Sequence, residues 1–174
     1  MELLIFSLLK IIFTIGLLLI SVLVVLQYYF SHKKQPVPVS VQNEEQKIIL
    51  PLRLQACERI VLFLDRIAVN NLIMRINKPG MNTLQLQAAM VGAIRDEFEY
   101  NMSQQLYLSS KAWGLVRNAK EETISLINKA STKVPEDGPS SEMVRILLEL
   151  VLAEEKSAVD IALEAVKYEI QKEF

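Results

Sequence analysis

The sequence predicts an all-α protein in which one N-terminal transmembrane helix is followed by a soluble bundle of four or five helices. Three observations predict this class. Residues 11–30 are almost entirely apolar and carry no charged side chain. In the remaining chain, apolar residues recur at the spacing of amphipathic helices. No segment shows the sustained alternation of apolar and polar residues that is typical of a β-strand.

The first predicted element is an anchor over residues 1–30, with the membrane span at about residues 11–30. About 20 residues, each rising about 1.5 Å along a helix, cover the hydrocarbon core of a bilayer. A helix is required there because no water is available to satisfy the backbone N–H and C=O groups. The side chains expected at the membrane–water interfaces are those of Lys10, Tyr28, Tyr29, Lys33 and Lys34.

We interpret this element as an uncleaved signal anchor. No cationic cluster precedes the apolar stretch, and no small-x-small cleavage motif precedes Ser31. Lys33, Lys34 and Lys47 follow the span, whereas only Lys10 precedes it. This imbalance predicts a single-pass protein of the inner (cytoplasmic) membrane, with its C-terminal domain in the cytoplasm. The chain has a single cysteine and so cannot form an internal disulfide, which is in line with a cytoplasmic domain.

Residues 31–47 are predicted to be a juxtamembrane linker, because Pro36 and Pro38 favour extended backbone. The helical domain follows at residues 48–174. Its first helix is predicted to begin near Pro51, since proline is tolerated in a first helical turn. The predicted buried stripe contains Leu54, Cys57, Val61, Leu64 and Ala68, widened by Ile60, Phe63 and Ile67. Asn70 and Asn71 are candidate caps of a short helix over residues 72–76.

The later helices have local start signals. Asn82 and Gln85 have the spacing of a capping box, and Ser109 or Ser110 can cap the next helix, which runs to about Ala130. Residues 131–140 are predicted to be a loop. The last helical region begins near residue 141, and Ser157 with Asp160 resembles an internal cap, so this region is either continuous or bent near Lys156.

Charge is unevenly distributed along the domain. Residues 51–80 are rich in basic side chains, whereas residues 136–174 are rich in acidic ones. Two interpretations remain open. The first and last helices can complement each other, or a basic face can lie against anionic lipid with the acidic end held away. Arg53 falls on the apolar side of its helix, so we expect either a carboxylate partner from the C-terminal helix or a later helix start.

Four segments are similar to an uncharacterised family of small, N-terminally membrane-anchored proteins from Bacteroidota. The segments are ILPLRLQACERIVLFLDRI (49–67), NNLIMRINKPGM (70–81), IRDEFEYNMSQQLYLS (94–109) and AWGLVRNAKEETISLIN (112–128). The resemblance covers about residues 47–130. It implies an anchor and a helical domain, but no reaction. It also implies an aromatic residue at Cys57 and often a histidine at Tyr100, and this chain departs from the family at both positions.

The residues point away from enzyme chemistry. A di-iron bundle needs Glu-x-x-His units, but Glu97 is followed by Tyr100, and the single histidine, His32, lies beside the predicted span. Cys57 lies on the apolar stripe with no histidine in the domain to activate it. The glycines are isolated, which excludes a P-loop or dinucleotide fingerprint. We therefore expect no catalytic site, metal or cofactor, and the near-neutral charge disfavours nucleic acid as a partner.

The leading functional hypothesis is a membrane-tethered, non-enzymatic interaction or scaffolding protein. Its expected partners are the lipid bilayer and either another protein or a second copy of the chain. A candidate partner surface consists of Arg95, Glu99, Asn101, Gln104 and Gln105, although Arg95 and Glu99 also have the i,i+4 spacing of a helix-stabilising ion pair. The alternatives are an accessory subunit of a larger membrane complex and an enzyme of unrecognised type.

Overall fold

The computed structural model describes the backbone of residues 2–33 and 39–172, and the side chains of Lys10, residues 13–28 and residues 47–172. The prediction of an all-α protein is confirmed for these residues, which form seven α-helices, a 3₁₀ segment and no strand. The helices are α1 (Glu2–Lys33), α2 (Val39–Ile67), α3 (Val69–Ile76), α4 (Thr83–Asn101), α5 (Ser110–Ser131), α6 (Ser140–Leu152) and α7 (Ala158–Gln171), and the 3₁₀ segment is Met102–Tyr107.

The chain divides into two compact units, Met1–Gln46 and Lys47–Phe174. Within the described residues, no helix combines the length and the apolar character that crossing a membrane requires. Four side chains of the predicted span, those of residues 11, 12, 29 and 30, lie outside the described part of the chain. The same holds for Tyr29, Lys33 and Lys34 among the predicted interface residues, whereas Lys10 and Tyr28 are described and exposed.

Helix α2 begins earlier than predicted. It starts at Val39, and Pro51 lies inside it, so the predicted helix start near Pro51 is wrong and residues 39–47 are helical, where an extended linker was expected. A proline inside a helix removes one backbone hydrogen bond. Here the neighbouring segment Glu44–Lys47 consists of good helix formers, which favour continuation on the N-terminal side of the proline.

The core of the second unit forms where α2 packs against α4. Ile60, Phe63, Leu64 and Ile67 of α2 are fully buried, whereas Leu54 is exposed and Val61 half-buried. The buried face of α2 is therefore centred on Ile60, Phe63 and Ile67, which were expected only to widen the stripe. Leu54 and Val61, which were expected at its centre, lie at its edge. The ring centroids of Phe63 and Phe98 lie 5.8 Å apart, and α5 packs against α4, α6 and α7. The core is thus closed around α5, and α2 contacts both α4 and α7.

The helix starts follow local capping chemistry. Asn82 and Gln85 form the predicted capping box, and Ser109 and Ser157 accept hydrogen bonds from backbone N–H groups at the starts of α5 and α7. The last helical region is therefore two helices. The predicted caps of the short helix are wrong, because α3 starts at Val69, directly after α2, and the amide of Asn71 instead donates to Asp65.

The loop between α5 and α6 holds the start of α4. The backbone N–H of Thr83 donates to the carbonyl of Gly138 (2.9 Å), and the N–H of Leu84 donates to that of Glu136 (3.1 Å). These are N–H groups that a helix cannot satisfy by itself. A Cβ atom at Gly138 would lie 3.0 Å from the carbonyl oxygen of Pro135. A side chain at this position would therefore crowd the turn that Val134 and Pro135 form within the loop.

Replacement of Ile60 tests the placement of the core. Ile60 is 0% exposed, so Ile60→Ala removes buried methyl groups and should lower the free energy of unfolding by about 3 kcal/mol. Leu62, two residues away on the same helix, is 61% exposed. Leu62→Ala should therefore change the free energy of unfolding by less than about 0.5 kcal/mol. Denaturant unfolding of the full chain, followed by fluorescence of its single tryptophan, Trp113, measures both. Equal effects would contradict this core.

Candidate functional site at the α5–α7 groove

A charged junction joins α2, α5 and α7. Glu169 of α7 accepts hydrogen bonds from the backbone N–H of Ser109 (2.6 Å) and from its hydroxyl (2.7 Å). Arg53 of α2 lies 3.4 Å from the same carboxylate and also donates from Nε to the carbonyl of Tyr107 (3.4 Å). The expectation that Arg53 pairs with a carboxylate of the C-terminal helix is confirmed.

Helix ends explain the charges at this junction. The carboxylate of Glu169 lies at the N-terminus of α5, where the unsatisfied N–H groups favour negative charge. Arg53 lies near the C-terminal end of α7, where the unsatisfied carbonyls favour positive charge. The two side chains are only 26% and 15% exposed, so solvent screens their attraction less than it would at the surface. The junction is therefore a fixed structural contact.

An open groove of about 850 Å³ lies beside the junction, between α5 and α7. Its lining combines apolar side chains with both signs of charge and includes Lys111, Leu115, Ile161, Tyr168 and Lys172. This volume lies in the range of small-ligand sites. The exposed ring of Tyr168 carries the ammonium of Lys172 4.6 Å above its centroid. An open groove lined by both apolar and charged side chains is suited to binding a segment of another protein.

A second, smaller groove lies between α2 and α7. It has a volume of about 390 Å³ and is mainly apolar, with Leu54, Leu62 and Ile170 in its lining. Cys57 also lines it, but the residue is only 5% exposed. Burial raises the pKa of the Cys57 thiol, the carboxylate of Glu169 raises it further, and Arg53 opposes both effects. The thiol is therefore held in its protonated form, which is a poor nucleophile.

Two of the other three arginines of the basic segment are also used internally. Arg66 of α2 and Arg75 of α3 both contact Glu97 of α4, at 2.7 Å and 3.4 Å respectively. Arg75 additionally donates to the backbone carbonyl of Arg66. Together with the pair of Arg53 and Glu169, these contacts favour the interpretation that charges of the domain complement one another.

The predicted partner surface is only partly at the surface. Arg95, Glu99 and Gln105 are exposed and Gln104 is half-buried, but Asn101 is buried and donates its amide to the carbonyl of Glu97 (2.8 Å). Among the ion pairs of residues 47–172, none joins Arg95 to Glu99. Sequence reasoning did not single out Glu169. The available signal was its position near the end of an acidic helix that was expected to partner Arg53.

Within the described part of the chain, no cluster of three or more histidine, cysteine, aspartate or glutamate side chains could hold a metal ion. The hydroxyl of Ser109 donates to Glu169 and accepts from the backbone N–H of Ala112, so it acts as a helix cap. The arrangement at Glu169 therefore orders three helices around a groove.

The fold and the groove define a small helical bundle protein with surfaces suited to binding. The chain belongs to DUF7935, a family of unknown function, whose model matches residues 3–173. The expectation of an uncharacterised family is thereby confirmed, and the match extends well beyond residues 47–130. No curated protein shows a significant match to the chain, and no solved structure does so either.

Substitution of Glu169 tests the junction. Glu169→Gln removes the charge that Arg53 and Ser109 share, so the free energy of unfolding should fall by about 1–3 kcal/mol. Glu164→Gln is the matched control on the same helix. Its pair with Lys156 is solvent-exposed, and its loss should change stability by less than about 0.5 kcal/mol. Thermal or denaturant unfolding measures both variants, and a neutral Glu169→Gln would contradict the role of the junction.

Alkylation of Cys57 tests its burial. It is the single cysteine of the chain, so the uptake of iodoacetamide reports one site, and the native rate near neutral pH should lie far below the rate in denaturant. Because the pKa is raised in the folded state, the thiol contributes stability that is fully present below the ordinary thiol pKa of about 8.5. That contribution is lost as the pH rises through the folded-state value. Equal native and denatured rates would show that the thiol is not buried.

Proposed function

We propose that this protein is a membrane-tethered, non-enzymatic interaction or scaffolding protein, whose helical domain holds a protein partner or a second copy at the cytoplasmic face of the inner membrane. The observation that carries the proposal is the surface of α1. Leu17, Leu18, Leu19 and Ile20 are consecutive, so they point to all sides of the helix, and all four are exposed. A helix that is apolar on every side requires an apolar environment.

The hydroxyl groups of α1 are consistent with such an environment. Thr14 donates to the backbone carbonyl of Lys10 at 3.1 Å, and Ser21 donates to that of Leu18 at 2.8 Å. Hydroxyls that bond back to their own helix leave fewer polar groups facing outwards. In lipid this matters, because unsatisfied polar groups are costly there. Both contacts therefore support a membrane anchor over residues 1–30.

The helical domain supplies the interaction part of the proposal. Arg53, Arg66 and Arg75 are engaged in internal pairs, and its single cysteine is buried. The groove between α5 and α7 is a concave surface on which charged and apolar side chains meet. Grooves of this mixed character suit peptide or helix docking. Arg95, Glu99 and Gln105 provide further exposed polar side chains on α4 and the 3₁₀ segment.

The cytoplasmic placement rests on the basic residues that follow the anchor. The bacterial group suggested by the resemblance, Bacteroidota, belongs to the same proposal. The alternative of an accessory subunit would use the same anchor to pack on other transmembrane helices. Native size analysis in gentle detergent distinguishes the two, because a subunit migrates in a fixed hetero-complex and a free scaffold does not.

Two arginines in the middle of α1 test the tether. Leu18→Arg combined with Val22→Arg places charges near the centre of the proposed span, where each is unfavourable by about 3 kcal/mol. The native full chain should stay in the membrane pellet after an alkaline carbonate wash, whereas this variant should be lost from it. The matched control is Leu18→Ala with Val22→Ala, which should remain in the pellet.

The tether is wrong if carbonate releases the native chain into the supernatant. The cytoplasmic placement is wrong if a C-terminal reporter that matures only in the periplasm becomes active. An interaction role is contradicted if cross-linking at native expression captures neither another protein nor a second copy.

A further inference from the structure

The contacts of the second unit define one end of its helical bundle. Arg53, in the middle of α2, reaches both Tyr107 before α5 and Glu169 near the end of α7. Glu169 in turn contacts Ser109, directly before α5. The part of α2 around Arg53, the end of the 3₁₀ segment, the start of α5 and the end of α7 therefore meet. We call this surface the basal end, and it consists of residues 47–53, 102–111 and 168–172.

The basal end exposes apolar side chains that have no neighbour to cover them. Leu106 of the 3₁₀ segment is 81% exposed, and Ile48, Ile49 and Leu52 of α2 are exposed as well. Ile49 lies one turn before Arg53 and thus on the face of α2 that turns towards the core further along the helix. It is nevertheless exposed, so the apolar face of α2 continues beyond the part of the bundle that covers it.

The charge of the basal end is basic. Its residues include Lys47, Arg53, Lys111 and Lys172, and their only acidic side chain is Glu169. Glu169 is already occupied by Arg53 and Ser109. Lys47, Lys111 and Lys172 are exposed, and none of them takes part in an ion pair among the described residues.

An acidic recess lies away from the basal end. Glu122, Glu154 and Asp160 line a recess of about 190 Å³ together with Ala68 and Val69, which follow the end of α2. Three acidic side chains therefore lie together away from the basal end, although Lys129 and Lys133 are exposed near the end of α5. An anionic surface would attract the basal end and repel this recess, which favours one orientation of the unit.

We infer that the basal end rests in the headgroup region of an anionic phospholipid leaflet. The boundary between headgroups and acyl chains would receive the side chains of Leu106, Ile48 and Leu52. Lys111 and Lys172 would contact lipid phosphates. Exposed apolar groups next to lysines are the combination that binds helices to membrane interfaces. The inference rests on the proposed tether, because the chain enters the bundle at Lys47, directly after the unit that contains α1.

Spin-label accessibility in the full chain tests the inference. Leu106→Cys and Leu152→Cys each place a nitroxide at a strongly exposed leucine, one at the basal end and one beside the acidic recess. Leu152 is 85% exposed and serves as the matched control. The native chain controls for labelling of buried Cys57. Each protein is reconstituted in vesicles of phosphatidylcholine with phosphatidylglycerol, and in vesicles of phosphatidylcholine alone.

In the anionic vesicles, the label at position 106 should be shielded several-fold from an aqueous nickel chelate and accessible to dissolved oxygen, whereas the label at position 152 should stay accessible to nickel. Lys111→Gln with Lys172→Gln should reduce the shielding at 106 to the value in phosphatidylcholine alone. Lys129→Gln with Lys133→Gln, which removes two exposed lysines near the end of α5, should leave it unchanged.

Three results would overturn the inference. Equal nickel accessibility at positions 106 and 152 in a chain that floats with anionic vesicles would leave the tether intact and remove the lipid contact. Dipolar broadening between labels at position 106 would assign the surface to a second copy. A native chain that floats with neither vesicle type would overturn the tether and this inference together.

Discussion

The carboxylate of Glu169 is the contact on which the arrangement of the bundle depends. It satisfies the start of α5 through two hydrogen bonds from Ser109 and holds Arg53, which lies 116 residues away in the chain. Without it, the backbone N–H of Ser109 would lose its acceptor, and the half-buried guanidinium of Arg53 would lose one of its acceptors. Because the junction joins α7 to α2 and to the start of α5, it can form only when these three helices pack together.

This junction also decides which charges remain available at the surface. Arg53, Arg66 and Arg75 are engaged with Glu169 and Glu97, so three of the five basic side chains of residues 51–80 are paired within the domain. The cations left exposed at the basal end are lysines. Lysine keeps a compact, strongly hydrated charge on a flexible stem, which suits a loose contact with phosphates, whereas arginine suits fixed pairs with carboxylates.

The two units present apolar surface in different ways. In the second unit, apolar side chains such as Ile60 and Leu147 are buried by neighbouring helices. Between residues 13 and 28 of α1, large apolar side chains are exposed on all sides of the helix. An exposed apolar surface of this kind marks an interaction with lipid or with another protein. The proposed tether and the proposed contact of the basal end assign that surface to lipid. Lys111 and Lys172 also line the groove between α5 and α7, so a lipid contact at the basal end and a partner in the groove would share these two lysines.

The sequence by itself determined the helical class and the helix start at Asn82, and it narrowed the later starts to Ser109 or Ser110 and to Ser157 if the last region is divided. Both depend on local information, namely apolar periodicity and a side chain that caps a backbone N–H three residues further on. Only the tertiary structure decided the rotation of α2, which buries Ile60 and exposes Leu54, the burial of Asn101, and the choice of Glu169 among many acidic residues. These features depend on which distant segments pack together, and local spacing does not specify that.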